Sequence, residues 1–379
     1  LLPPHIFMVS KQDTIQGEQG GIKMKKLLKV GLDWDDTLCP FVTNAITLCN
    51  MENGTEFTLD DITEWGNKSP ATKMVFPYYS DIRTYQMQKV PEISKQFVSK
   101  LMEIADVYIV TAVSPQFMGV RADQIAKEFP DFPEDHILMG AAKNLIKLDI
   151  LLDDAPHNIL KASATYPVLI RRPWNRNLSG VLSVNTIDEF LILVNQIMHQ
   201  MTDTKEIEEP CVYAIVGPSG ADKHLLAEDL IADQVDDSKN GAIIHNNREF
   251  VYSIELDKPD VKRPENSITD TTYAGRRYTL DADEIKKKLD AGISVVVIVD
   301  ISGAIALKRE FPTVIIFCRQ SREEMIKNVL LDFRNGDATY EQATMQLLSM
   351  EQELKNESLC DFSVRSDDLD SILELIKKL

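Results

Sequence analysis

The chain has 379 residues, of which 44% are hydrophobic and 26% charged, with a formal net charge of −18. That length allows two or three domains of an ordinary soluble globular protein, and no apolar run is long enough to cross a bilayer or to serve as a signal-peptide core, which argues against a membrane partner. The acidic field argues against nucleic acid, since any polyanion would need a local basic patch, and five cysteines without a CxxC pair argue against a disulfide framework or structural zinc and for a reducing, cytoplasmic compartment.

Residues 1–25 have no sustained period and read as a flexible leader, with Met24 in MKKLLKVG a candidate start. From 26 to 198, KLLKVGL, ADVYIVT, DILLDD and YPVLIRR read as buried strands, and PEISKQFVSKLMEI and GVRADQIAKEF as amphipathic helices. This alternation predicts an α/β domain with a parallel sheet covered on both faces. The aromatic-rich stretch 39–90, helical in part at LDDITEW, interrupts the rhythm and reads as a small inserted cap. HQMTDTKEIEEP, within 199–210, is the linker candidate. A second alternation fills 211–379: CVYAIVG, a helix from Lys223, GAIIH, ISVVVIVD, TVIIFC and a helical tail. Two doubly wound parallel-sheet domains are expected, with no internal repeat between them.

In open α/β sheets ligands bind beyond the carboxyl ends of the strands. The first strand runs into Asp33, Asp35 and Asp36 (KVGLDWDDTLCPF), the second ends in Thr111, and the third ends in Asp153 and Asp154 with Lys143 just before it. Clustered carboxylates are costly unless paired or metal-bound. These are the parts of a phosphoryl-transfer site: a carboxylate nucleophile, a second carboxylate as acid and base, a third to hold Mg²⁺, and a hydroxyl and an ammonium for the phosphate. An acidic turn beside unrelated polar strand ends is the bland alternative. The ordered recurrence at three strand ends weighs against it.

DWDDT resembles the DxDxT motif of the haloacid dehalogenase superfamily, VYIVTA its second motif, and Lys143 with DILLDDAPHN its third and fourth. Order, spacing and the small cap resemble the 5′(3′)-deoxyribonucleotidases, as do DITEWGN and KNLIKLDILLDDAPHNI. The resemblance implies Asp33 as nucleophile and Asp35 as acid/base, with its carbonyl on the metal. It implies Thr111 and Lys143 on phosphate, Asp153 on Mg²⁺, Asp154 in support and Phe41 against the base. Asp36 departs from it, standing where many members have Gly and adding negative charge beside the site. Trp65, Phe76, Tyr78 and Tyr79 are available for base stacking but read rather as cap core.

In the second half, VYAIVGPSGADKHLLAEDL is a strand, a Gly-containing loop and a helix. Gly217, Gly220 and Lys223 fit the phosphate-binding G-x-x-x-x-G-K-[ST] pattern, but Asp222 replaces its second Gly and His224 its hydroxyl. GPSGADK, VVVIVDISGAIALKREFPTVIIFCRQSREEM and DFSVRSDDLDSILELI resemble guanylate kinase. In SITDTTYAGRRYTL, Thr271, Thr272, Gly275 and Tyr278 match parts of that family's GMP-binding stretch, while Tyr273 stands for an arginine. Arg334 remains in the lid region, and Met345 and Gln346 replace paired arginines there. The resemblance therefore implies a guanylate-kinase-like fold with a degenerate P-loop and no kinase activity. His136, His157 and His245 lack ligand-like spacing and read as structural or solvated. The leading expectation is an Mg²⁺-dependent phosphatase for a small nucleotide, a nucleoside or deoxynucleoside monophosphate, with the second domain a binding, regulatory or homo-oligomerisation module. A bifunctional nucleotidase and kinase and a non-enzymatic nucleotide-binding or interaction protein are the alternatives.

Overall fold

In this computed structural model, which describes residues 27–200, 209–232, 234–236, 242–244, 247–273 and 276–365, two parallel sheets follow each other along the chain. The leader, most of the linker, His245, Gly275 and the segment after 365 lie outside the described residues, as do the side chains of Thr272 and Tyr273. The first half runs β1 (Lys29–Leu32), α1 (Val42–Asn53), α2 (Pro70–Val75), α3 (Ile82–Gln86), α4 (Glu92–Met102), β2 (Asp106–Thr111), α5 (Met118–Glu128), β3 (Ile137–Met139), β4 (Ile150–Asp153), α6 (Pro156–Lys161), β5 (Tyr166–Ile170), β6 (Ser183–Val184) and α7 (Ile187–Gln200). Its strands are all parallel, in the order β3-β2-β1-β4-β5-β6. Every residue of β4 and β5 is buried, as in a sheet covered on both faces, which is why these strands read as continuous apolar runs. The edge strands β3 and β6 have three and two residues, too few to leave a period in the sequence.

Between β1 and α4 the chain leaves the sheet to form α1, α2 and α3. They enclose a small apolar core of Val42, Ala45, Ile46, Cys49, Ile62, Ala71 and Val75, closed by Trp174 from the body. LDDITEW contributes only a single 3₁₀ turn, Leu59–Asp61, where Asp61 accepts from the backbone N–H of Thr58.

The second half runs β7 (Val212–Val216), α8 (Lys223–Ile231), β8 (Gln234–Asp236), β9 (Ala242–Ile244), β10 (Arg248–Phe250), β11 (Ile254–Glu255), β12 (Ser267–Tyr273), β13 (Arg276–Asp281), α9 (Ala282–Asp290), β14 (Ser294–Ile298), α10 (Ile301–Glu310), β15 (Thr313–Arg319), α11 (Arg322–Asn335), α12 (Tyr340–Lys355) and β16 (Phe362–Arg365). Its main sheet is also parallel, in the order β10-β14-β7-β15-β16. Ala242–Ile244 within GAIIH form β9, which pairs with β8 as an antiparallel ribbon instead of entering this sheet. The edge position goes to β10, whose sequence REF is too polar to announce a strand. A separate three-stranded antiparallel sheet, β11-β13-β12, stands beside the main one.

The halves are packed together. One apolar cluster joins Leu182, Val184 and Ile187 of the first half to Ile301, Ala304 and Leu307 of the second. The backbone N–H of Ser183 donates to Ser302 Oγ at 2.8 Å. From α12 and just beyond it, Gln352 Nε2 donates to the Leu160 carbonyl at 2.9 Å and Asn356 Nδ2 to that of Gly180 at 3.0 Å. All five cysteines are free, and among the described residues no helix is long and apolar enough to cross a membrane.

Candidate active site and a filled phosphate loop

In the first sheet β1 lies between β2 and β4, so the strand order reverses there and a crevice opens at the carboxyl ends. The parallel register sets Leu32 beside Leu152, so Asp33 and Asp153 leave neighbouring strands side by side. Lys143, from the turn before β4, reaches up between them, with Nζ 2.6 Å from Asp33 Oδ1 and 2.6 Å from Asp153 Oδ2. All three groups are buried. Asp153 is further fixed by the backbone N–H of Ala155 at 2.8 Å and by Asn158 Nδ2 at 3.1 and 3.0 Å. Asp154 accepts from Trp174 Nε1 at 2.8 Å.

Asp33, Asp153 and Asp154 each offer a carboxylate oxygen within 4.8 Å of the others. Burial pushes the Asp33 carboxyl up to about 7, with Asp153 and Asp35 adding to the shift and Lys143 opposing it. Asp154 is likewise raised by burial and by its carboxylate neighbours. Burial opposes the Lys143 charge, but Asp33 and Asp153 outweigh it and hold the ammonium protonated. Lys143 is shared by Asp33 and Asp153 while Asp154 lies beside them, a cluster of three buried carboxylates built wholly of oxygen donors. That donor set fits a hard divalent ion such as Mg²⁺.

Asp35 and Thr111 meet in a second network that the sequence reading missed. Arg121 of α5, fully buried, donates Nη2 to Asp35 Oδ1 at 2.8 Å and Oδ2 at 3.0 Å, and Nη1 to Thr111 Oγ1 at 2.7 Å. Gln88 Nε2 adds a third bond to Asp35 Oδ1 at 2.8 Å. The guanidinium lies over the Trp34 and Tyr85 rings, 5.4 and 5.7 Å from their centroids. The signal was present in GVRADQIAKEF: Arg121 and Ile125, four apart, are the two residues α5 buries, so the arginine sits on the apolar face.

Asp36 takes a left-handed backbone with φ 54°, a conformation glycine adopts freely and aspartate tolerates, which accounts for the departure at this position. Its charge is not left facing the site. The carboxylate accepts from the backbone N–H groups of Phe41 at 3.0 Å and Val42 at 3.1 Å, capping α1. Phe41 is buried against Tyr79 and Tyr85, with ring centroids 5.6 and 5.1 Å away, and offers no open face. Tyr78 and Tyr79 are half-buried and pack on the insert, but Trp65 and Phe76 are half exposed, contrary to the core reading. Trp65 lies 5.3 Å from the ring of His157, whose imidazole is lowered by burial despite the opposing field of Asp153. His157 thus stands at the rim of the site. His136 is structural, bonded to the Val107 carbonyl at 2.9 Å.

The loop after β7 occupies the same topological position in the second sheet, with β14 on one side and β15 on the other. Gly220 has φ 81°, and a β-carbon there would collide with the Met325 carbonyl. The loop is already filled. The backbone N–H of Ser219 donates at 2.8 Å to Glu353 Oε2, a buried carboxylate from α12 that also accepts from Ser349 Oγ. Burial raises the Glu353 carboxyl, against the pull of the Ser349 hydroxyl and Lys223. Lys223 Nζ donates to the loop carbonyls of Gly217 at 3.1 Å and Pro218 at 2.8 Å. Gly180 of the first half lies so close above that a β-carbon would overlap the Glu353 side chain. Met345 packs on Ile159, Leu169, Leu178 and Val181 of the first half, Gln346 is buried, and Asp222 and His224 are exposed.

Residues 26–198 match the family model described as 5′ nucleotidase, deoxy (pyrimidine), cytosolic type C protein. A 5′(3′)-deoxyribonucleotidase of Bacillus subtilis is 26% identical over 169 residues, which is 44% of this chain and 96% of that protein. The first half is a nucleotidase-type hydrolase. A putative 5′(3′)-deoxyribonucleotidase of Staphylococcus aureus is 25% identical to the nucleotidase half over 167 residues, 41% of this chain and 89% of that one. Among solved structures, a guanylate kinase from Anaplasma phagocytophilum aligns with TM-score 0.28 and 16% identity, over 46% of this chain and 83% of its own. A haloacid dehalogenase-like hydrolase from Xanthomonas campestris aligns with TM-score 0.29 and 11% identity, over 46% and 97%. Likenesses that loose decide nothing about chemistry. The nucleotidase reading rests on the match over residues 26–198 and on the curated relatives.

Proposed function

We propose that the chain hydrolyses nucleoside monophosphates, deoxynucleotides in particular, through an aspartyl phosphate on Asp33, and that the second half is a guanylate-kinase-like domain without kinase activity. The observation that carries the reading is Lys143 bridging Asp33 and Asp153 beside Thr111 and Asp35. An Asp33 oxygen attacks phosphorus as the ester bond to the nucleoside oxygen breaks. Asp35 gives that oxygen its proton, then takes a proton from the water that hydrolyses the aspartyl phosphate and releases phosphate. Arg121 and Gln88 hold the Asp35 carboxylate in one orientation for both steps. Thr111 Oγ1 and the Lys143 ammonium take the phosphate oxygens. Asp33, Asp153 and Asp154 would hold Mg²⁺, which supplies charge for the phosphoryl oxygens. Trp65 and Phe76, exposed on the insert, are better placed than buried Phe41 to meet a base.

For the second half, the support is the occupied loop. Glu353 takes the backbone donor that a phosphate would use, and Lys223 is spent on loop carbonyls. The positions where arginines would neutralise a transferred phosphoryl hold Met345 and Gln346, both turned to packing.

The test is phosphate release from a panel of ribo- and deoxyribonucleoside monophosphates by the full chain. Release should need divalent metal, vanish in excess EDTA and return better with Mg²⁺ than with Zn²⁺. Full activity in chelator would remove the metal from the mechanism, and no release from any monophosphate would remove the substrate class.

A further inference from the structure

A cavity of about 280 Å³ between the two halves is lined by Arg171, Arg172 and Arg176 from the first and by Arg263 and Arg277 from the second. In a chain of net charge −18 this is a marked local reversal, with Asp270 the one acidic residue on the wall. Three of the arginines are held by exposed carboxylates: Arg176 by Asp60 at 2.7 Å, Arg263 by Asp270 at 2.7 Å and Arg277 by Asp257 at 2.8 Å. Exposed pairs of this kind are weak and exchange readily for a better anion.

The other two, Arg171 and Arg172, feel carboxylates only through their charge, Asp154 and Asp36 in the case of Arg172. Arg171 Nη1 donates to the Leu178 carbonyl at 2.6 Å, but its Nη2 is buried and has no hydrogen-bond partner among the described residues. Asp300 of the second half is a counter-charge acting on it. Arg172 Nε donates to the Asp36 carbonyl at 2.8 Å and its Nη1 to the Arg171 carbonyl at 2.9 Å. A buried guanidinium edge with no acceptor is costly. With that Arg171 edge and four more arginines on its walls, the cavity lacks an anion.

We propose that this inter-half cavity binds a small polyanion carrying two or more linked phosphates. A phosphate chain presents acceptor oxygens to more guanidinium groups at once than a single phosphate or carboxylate does. The site exists only where both halves are present, because neither supplies more than three of the five arginines. None of the Asp33 centre's carboxylates lines it, although Arg172 feels the charge of Asp154 and donates to the Asp36 carbonyl. The phosphate chain comes either from an inorganic polyphosphate or from a nucleoside di- or triphosphate. Tyr278, on the same wall, offers a ring edge for the second.

The test is calorimetric titration of the full chain, without divalent metal and at low salt, with inorganic tripolyphosphate and with ATP as probes. Both should bind at one site. Arg263→Gln with Arg277→Gln, at two exposed positions outside the nucleotidase centre, should weaken tripolyphosphate by about tenfold or more through the loss of charge-assisted contacts. Arg263→Lys with Arg277→Lys should recover part of it. Asp33→Asn should leave it unchanged. Tighter ATP would assign the nucleoside source, and equal binding the phosphate chain alone. No heat from either probe at millimolar concentration, or a double Gln variant of natural fold that binds as the parent does, would overturn the proposal.

Discussion

The loops after β1 and β7 leave the middle strand of a parallel sheet at the same topological point, and the chain uses them in opposite ways. The first gathers the carboxylates of Asp33, Asp153 and Asp154, with one ammonium, Lys143, between the first two. The second directs a backbone N–H at an anion, and that anion is the protein's own Glu353. A strand-end crevice is only a place where charge can be concentrated. Whether it works on a ligand depends on whether the chain leaves the matching charge to be supplied from outside or builds it in.

The sharpest way to break this comparison is to neutralise the first loop. Asp33→Asn should lower phosphate release by on the order of 10⁴-fold or more, as removal of a nucleophile does, while circular dichroism stays that of the parent. Undiminished turnover would end the covalent mechanism. Next comes the pin behind that loop. Arg121→Met leaves Asp35 without its cation and Thr111 without its donor, and should cost about 3–5 kcal/mol in urea unfolding, the penalty for breaking a buried pair. A midpoint equal to the parent's would show that Arg121 holds nothing.

A smaller effect is expected at Glu353. Burial raises its carboxyl above the ordinary 4.5, so the folded state binds the proton more tightly than the unfolded one. That stabilisation is complete below 4.5 and is lost as pH rises through the folded value. Glu353→Gln removes this slope. In thermal unfolding the variant should gain on the parent as pH rises above 4.5. A gap that stays constant with pH would mean that Glu353 titrates normally. The smallest change is expected where repair looks easiest. Asp222→Gly with His224→Ser rebuilds the loop's sequence pattern, yet a coupled assay with ATP and GMP should still show no ADP above background, because Glu353 and the altered lid remain. Turnover of the natural chain at roughly 1–100 s⁻¹, the ordinary range for kinases, would make it bifunctional.

The sheets were legible because β4, β5 and β7 are buried on both faces and so read as uninterrupted apolar runs. The constellation of Asp33, Thr111, Lys143 and Asp153 was legible because parallel strands deliver their ends to one edge. What could not be read was whatever depends on how helices meet. Arg121 and Glu353 are polar residues on the buried faces of α5 and α12, and the sequence does not say which acceptor or donor waits opposite. The exposure of Trp65 and Phe76 escaped for a related reason: in a short insert, ring positions follow from where the body lends Trp174, not from any period. The place of GAIIH outside the main sheet followed from pairing with β8, a choice of neighbour that an apolar run of three residues does not encode.

Gly180 carries a consequence for how this chain can change over generations. With φ 76° and no room for a β-carbon beside Glu353, it lets one half rest on the carboxylate that plugs the other. Any lineage that bulks up position 180 must first shrink or move the residue at 353. A lineage that empties 353 to recover a nucleotide pocket opens a void beneath the nucleotidase. The two positions, 173 residues apart in sequence (353 − 180), are bound to drift as a pair, and a graft of either half onto a foreign partner would inherit half of a lock.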